Sequence, residues 1–216
     1  EELLYHVTFV DIEENKTNTE IFKINVDGSE KKQLTFTNDH ESSAQWIDGG
    51  NKIAFLKNHE GSSQLWVMNA DGSGAECISD VEGGISGFTY SPGETKVMYV
   101  KKIKSVETIA ERHPDLPNAT GRVVDDLMYK HWDHWVEEIP HTFYAAIKNG
   151  KLADHVDLLE GEPYEAPLLP FGGTGDVAWS ADSKSIVYTS KKMTGRAYSE
   201  STNSDLYMYS LEDKTT

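Results

Sequence analysis

One block of this sequence recurs without gaps at a distance of 44 residues. Ile21-Phe22-Lys23-Ile24-Asn25-Val26-Asp27-Gly28-Ser29 aligns on Leu65-Trp66-Val67-Met68-Asn69-Ala70-Asp71-Gly72-Ser73. At the same offset, Ala44-Gln45-Trp46 and the stretch from Gly49 to Phe55 align on Phe88-Thr89-Tyr90 and the stretch from Gly93 to Tyr99. A third copy runs from Ala178 to Tyr188. Units of roughly 40 to 45 residues, each parsing into four short strands, are the blades of a β-propeller. A β-sandwich has no reason to repeat a whole unit at fixed spacing.

Strand A of each unit lies around Trp46, Tyr90 and Trp179, strand B around Phe55, Tyr99 and Tyr188, and strand C around Phe22, Trp66 and Tyr207. An Asp-Gly turn leads to an outer strand D, and Asp-Gly predicts a two-residue hairpin loop with both central residues at positive φ. The expected fold is therefore all-β: a partial propeller of about four blades of four-stranded antiparallel sheets. The divisions expected are residues 1–40, 41–83, 84–160 and 174–216. The first strand, near Leu4 to Val10, precedes a strand C, and the last, Leu206 to Ser210, is itself a strand C. Both outer blades are thus expected to be incomplete, as in a piece of a larger protein, and their open edges favour self-association.

The third unit departs from the pattern. From strand A to strand C it uses 53 residues, against 19 in the second unit and 27 in the fourth. Within residues 102–140 the periodicity is helical: Val123, Leu127, His131 and Trp135 form one i, i+4 row and Val124, Met128, Trp132 and Val136 the next. A helical insertion is expected there. A shorter helix is expected over Val106 to Arg112, with Ser105 as its N-cap and Pro114 beyond its end.

On such a helix Asp133 and Glu137 stand at i, i+4, where like charges repel unless a cation sits between them. A substrate ammonium would serve, as would a solvated acidic face partly neutralised by Lys130. Glu137-Glu138 is a second candidate amine clamp. His131 and His134 could share a helix face as metal ligands, but no third ligand stands at a motif spacing. Trp132 and Trp135 read as core contacts or as a stacking platform. No metal or other cofactor is expected. The chain carries 20 Lys and Arg against 36 Asp and Glu, a formal net charge of −16, which disfavours nucleic acid and anionic membranes and favours cations and peptide amines. No apolar run approaches the roughly 18 residues of a membrane-spanning helix. Cys77, the single cysteine, falls in a strand D and is expected to be inert. No Gly-x-Ser-x-Gly nucleophile elbow occurs in the sequence.

Val26-Asp27-Gly28-Ser29 followed by Gln33-Leu34-Thr35, with the turn Tyr90-Ser91-Pro92-Gly93, resembles the TolB-like repeats in propellers of the prolyl oligopeptidase superfamily. Leu127-Met128-Tyr129-Lys130-His131-Trp132-Asp133-His134-Trp135-Val136, leading into His141-Thr142-Phe143-Tyr144, resembles the His-Trp-Asp insertion of dipeptidyl peptidase V and acylaminoacyl-peptidase-like members. The resemblance implies a non-catalytic propeller that gates access to a separate α/β-hydrolase domain, which is absent here, in a periplasmic or secreted serine exopeptidase. It implies a peptide substrate as partner, and carries Tyr129, His131, Trp132 and Asp133 over as insertion residues. The competing class is a TolB-like propeller serving as an interaction module with no hydrolase.

Overall fold

A computed structural model describes residues 1–127 and 129–216. Its first sheet is β1 (Glu2–Asp11), β2 (Lys16–Asn25) and β3 (Lys32–Gln33) in sequence order, and its second is β4 (Ser42–Ile47), β5 (Lys52–His59), β6 (Ser62–Asn69) and β7 (Glu76–Cys77). The third sheet begins with β8 (Gly87–Tyr90) and β9 (Lys96–Lys104). After β9 come a single-turn helix α1 (Ile109–Arg112) and a separate two-stranded ladder, β10 (Lys130–His131) with β11 (His134–Trp135). The third sheet resumes with β12 (Glu138–Lys148) and β13 (Lys151–Asp157), in the order β13-β12-β9-β8. The fourth sheet is β14 (Val177–Trp179), β15 (Ser185–Ser190) and, after a short helix α2 (Gly195–Glu200), β16 (Asp205–Ser210). Each sheet is a meander, and the all-β partial propeller read from the repeat is the observed fold class.

The chain divides into two compact units. One holds Glu1–Tyr90, Glu94–Val97 and Ala145–His155; the other holds Ser91–Gly93, Met98–Tyr144 and Val156–Thr216. In the first, Ile21, Leu34, Ile53, Phe55 and Met68 form a buried cluster. In the second, Met98, Tyr144, Leu158, Leu159, Val177, Ile186, Tyr188 and Tyr209 do so. Ile53-Ala54-Phe55-Leu56 on β5 and Val97-Met98-Tyr99-Val100 on β9 are buried without interruption, so these strands B are covered on both faces and read as apolar runs rather than alternations. The first unit also buries a carboxylate. Glu41 accepts hydrogen bonds from Thr37 Oγ1 (2.7 Å) and Thr35 Oγ1 (3.4 Å), with Lys57 Nζ 3.9 Å away. Desolvation pushes its pKa up against the opposing pull of Thr37, and the charge of Glu20 adds to the rise.

Two expectations about local structure are corrected. The Asp-Gly turns are not two-residue loops. Gly28 N donates to Asn25 O (2.8 Å) and Asn25 N to Ser29 O (3.0 Å); Gly72 N donates to Asn69 O (2.9 Å) and Asn69 N to Ser73 O (2.9 Å). Gly28 and Gly72 have positive φ while Asp27 and Asp71 do not. This is the three-residue loop with a bulge at glycine, and each aspartate instead accepts from the serine two residues on.

Among the described residues the helix expected within residues 102–140 is also absent. Among the described residues the only helical turn there is α1, capped by Thr108 and Glu111 rather than by Ser105. Val123, Leu127 and Trp135 are 41%, 48% and 41% exposed, so their stripe has no surface to bury against. Trp132 has φ +50°, which breaks a helix and suits a tight β-turn. Met128, which stood in the second row, lies outside the described residues. No helix among the described residues is long and apolar enough to cross a membrane.

Candidate functional site

The insertion is pinched at its base, where Ser105 N and Val106 N donate to Glu137 O (2.9 and 3.4 Å). From the end of α1, Arg112 Nη2 donates to Asp125 Oδ2 (2.8 Å). The returning chain forms a hairpin: Lys130 faces Trp135, His131 faces His134, and Val136 N donates to Tyr129 O (3.0 Å), with Trp132-Asp133 as the turn. The Trp135 ring carries Lys130 Nζ 4.4 Å and the Arg122 guanidinium 4.5 Å from its centre. Arg122 at the same time binds Glu137 Oε1 through Nε (3.1 Å) and Nη2 (2.9 Å). These contacts give the insertion a fixed shape that owes little to regular secondary structure.

A second wall comes from the connection after β13. Ala166 N donates to Pro140 O (3.0 Å), Thr142 Oγ1 to Ala166 O (2.8 Å) and Ser190 Oγ to Glu165 O (2.9 Å). These bonds hold Glu165 in place with 6% of its surface exposed. Its Oε1 lies 2.8 Å from His131 Nε2, and its Oε2 accepts from Leu169 N (3.3 Å). The third wall is the segment from Lys191 through α2. Lys191 Nζ donates to the carbonyls of Tyr198 and Ser201, both at 2.5 Å, and lies 3.8 Å from the Tyr198 ring centre. Burial, and secondarily the charge of Glu165, pushes the Tyr198 phenol up. Asp126 Oδ1 accepts from Gly195 N (2.8 Å) as well as Leu127 N (2.6 Å), which ties α2 to the insertion.

These walls line an open cavity of about 520 Å³. Val106, Ile109, Val123, Val124, Val136, Ile139, Leu168 and Met193 supply apolar surface, with Tyr129, Trp135, Tyr164 and Tyr198 as aromatics. Glu165 is the lining carboxylate that is more than nine-tenths buried, and its side-chain partner is an imidazole rather than a fixed cation.

The residues singled out in the sequence fall in different places. Tyr129 and Glu137 line the cavity, but the Glu137 carboxylate is already held by Arg122. His131 is mostly buried and reaches the cavity through Glu165. Trp132 is 71% exposed and lies edge-on to Phe171, with ring centres 5.4 Å apart. Asp133 is exposed beside His134, their side-chain atoms 3.3 Å apart, and Glu138 is exposed at the start of β12. Asp133 and Glu137 therefore do not form the i, i+4 pair. Among the described residues no three His, Cys, Asp or Glu side chains converge as a metal site. Cys77 is on β7, its Sγ donating to Ser79 O (3.2 Å) and its thiol pKa raised by burial. Glu165, Arg122 and Tyr198 carried no motif; the signal for Glu165 was an extended segment with prolines at 163 and 167, which positions rather than names it.

No protein-family model matches the chain. It is 49% identical over 208 residues to dipeptidyl-peptidase 5 of Porphyromonas gingivalis, covering 96% of this chain and 30% of that protein. It is 42% identical over 215 residues to dipeptidyl-peptidase 5 of Porphyromonas endodontalis, covering 100% of this chain and 31% of the relative. The chain thus spans about a third of the length of these curated relatives. Among solved structures, the acylaminoacyl peptidase of Pyrococcus horikoshii matches with a TM-score of 0.64 at 14% identity, covering 96% of this chain and 29% of that one, a likeness of fold. The resemblance to dipeptidyl peptidase V read from the sequence agrees with these curated relatives, and the likeness to acylaminoacyl peptidase is one of fold.

Proposed function

We propose that this chain is the non-catalytic propeller portion of a periplasmic or secreted serine exopeptidase that releases dipeptides or blocked residues from peptide N-termini. In this reading the propeller gates access to the hydrolase domain, and its 520 Å³ cavity receives the N-terminal residue of the substrate. The observation that carries the reading is Glu165: a carboxylate 6% exposed, facing an apolar and aromatic cavity, with no guanidinium or ammonium among its bonded partners. An ionised carboxylate in such a setting seeks a cation. A peptide's α-ammonium followed by an apolar side chain supplies the charge and fills the space. Asp133, Glu137 and Glu138 are weaker anchors, since Glu137 is neutralised by Arg122 and the other two are exposed and do not line the cavity. The similarity to dipeptidyl-peptidase 5 over nearly the whole chain supports the exopeptidase class.

The test uses the complete protein. Glu165→Gln should lower kcat/KM for free-amine dipeptidyl substrates by about ten- to a hundredfold, the worth of one charge-assisted contact, and leave N-acylated substrates nearly unchanged. Asp133→Asn and Glu138→Gln should change neither. Equal losses on both substrate types after Glu165→Gln would make Glu165 structural. A larger selective loss from Asp133→Asn would move the anchor to the hairpin turn.

A further inference from the structure

We infer that His131 sets the charge that Glu165 presents to the cavity, so that the site accepts an N-terminal ammonium while the imidazole is neutral and loses affinity for it when the imidazole is protonated. This rests on reading the cavity as an ammonium site. The geometry has three parts. First, the 2.8 Å contact between His131 Nε2 and Glu165 Oε1 persists in either state: a neutral imidazole donates its Nε2 proton, and an imidazolium donates the same proton while adding a full positive charge. Secondly, both side chains are shielded, with 14% and 6% of their surfaces exposed, so the added charge is poorly screened and competes directly with a ligand cation for the same carboxylate. Thirdly, Glu165 accepts one bond from His131 and one from Leu169 N, which leaves acceptor capacity on both oxygens for a ligand.

The other charged and titratable groups around the pair are committed elsewhere: Asp126 to the amides of Leu127 and Gly195, Glu107 to Arg112, and Lys130 to the Trp135 ring. From the insertion, Arg122 is bound to Glu137 and Arg112 to Asp125. From the segment after β15, Lys191 is turned onto the carbonyls of Tyr198 and Ser201. From α2, the Tyr198 phenol is pushed up and stays neutral through the neutral range. On the hairpin itself, His134 lies opposite His131 but turns to the exposed Asp133. Tyr129 and Tyr164 complete the aromatic lining. His131 is accordingly a positioning and charge-setting residue rather than a catalytic one. Binding of an ammonium and of a proton at His131 must oppose each other reciprocally.

Trp135 in the cavity wall provides the readout. The probe is leucyl-alanine amide, with N-acetyl-leucyl-alanine amide as the uncharged control, titrated into the chain at pH 7.0 and 5.5 by tryptophan fluorescence. The α-amine keeps its proton across this range. The free amine should bind tighter than the acetylated control at pH 7.0, and its affinity should fall by about three- to tenfold at pH 5.5. In His131→Gln, which keeps a donor to Glu165 but cannot charge, the affinity should be flat. No preference for the free amine at pH 7.0 overturns the ammonium reading itself. A preference that does not change with pH, or that falls equally in His131→Gln, overturns the role of His131 alone. Should the variant fail to fold, the His131 ring resonances of the unaltered chain decide: saturating free amine should lower their titration midpoint by about half to one pH unit and the control should not. An unmoved midpoint overturns the inference.

Discussion

The second sheet and the insertion that follows β9 use similar residues to opposite ends. In β5 and β6, Ile53, Phe55, Leu65 and Met68 are all at most 1% exposed, and each strand is held by a neighbour on both sides. In the insertion, Val123, Val124, Leu127 and Trp135 remain 41–49% exposed, and the chain is held by side chains: Arg112 on Asp125, Arg122 on Glu137, His131 on Glu165 and Asp126 on Gly195. Hydrophobic residues make a core in the first case and walls in the second. A repeated sheet can be read from its period because every position in it answers to a neighbouring strand. A cavity wall answers to partners scattered along the chain.

Truncation should separate the two regions most sharply. Phe55→Ala removes a ring from the close-packed second sheet and should cost about 3–5 kcal/mol, whereas Trp135→Ala gives up two part-exposed cation contacts worth about 0.5–1 kcal/mol each. Urea midpoints of both variants test this, and comparable losses would mean that the insertion has a core of its own.

The paired turns sharpen the picture within the regular part. Gly28 and Gly72 share a left-handed backbone at φ +86° and +92°, but a Cβ at Gly28 meets nothing within 4 Å, while one at Gly72 would lie 2.6 Å from Leu34 O. Gly28→Ala should cost about 1–2 kcal/mol of left-handed strain, and Gly72→Ala should cost more. Equal losses, measured by the same unfolding curves, would show that the Leu34 carbonyl yields freely.

The sign of one substitution in the insertion decides whether it is a hairpin. In a Phe171→Ala background, which removes the edge contact, Trp132→Gly relieves a positive φ and should stabilise the hairpin by about 1 kcal/mol. A helix would instead lose up to about 0.5 kcal/mol from the same change. Amide exchange at Trp135 and Val136 is the measurement.

The smallest effect is that of the buried carboxylate beside the second sheet. Because its folded pKa is raised, Glu41 holds its proton more tightly folded than unfolded, so its contribution is present below the unfolded pKa and is lost as pH rises through the folded one. Stability should decline from pH 4.5 upward through this term, and Glu41→Gln should flatten the decline. An unchanged slope would mean that Thr37 and Lys57 fully compensate the buried charge.

Phe55, Tyr99 and Tyr188 stood in register in the sequence and stand on β5, β9 and β15 in the structure, because a blade's alternating turns and strands impose a spacing that sequence displays directly. The i, i+4 rows of the insertion misled because no facing surface was there to select the helix, and Tyr129 to Val136 instead fold back around Trp132-Asp133, pairing His131 with His134 and Lys130 with Trp135. Glu165 was illegible for another reason. Its burial depends on bonds from Thr142 and Ser190 to the segment that carries it, which lie 24 and 25 residues apart from their partners. Tyr129, which lines the cavity, stood in the insertion motif, while Arg122 and Tyr198, which also line it, answer to geometry alone.

Apart from Ile139 on β12, the cavity is built from connections: the stretch between β9 and β12, the stretch between β13 and β14, and the stretch between β15 and β16. Residues can be gained, lost or exchanged in these without disturbing the pairings of the four main sheets, so the chamber can be reshaped at little risk to folding. The Asp126 to Gly195 tie limits that freedom, because lengthening either connection alone would pull the carboxylate away from α2. Natural variants of this scaffold with altered ligand preference should therefore change length in the two connections together, with the strands between them left as they are.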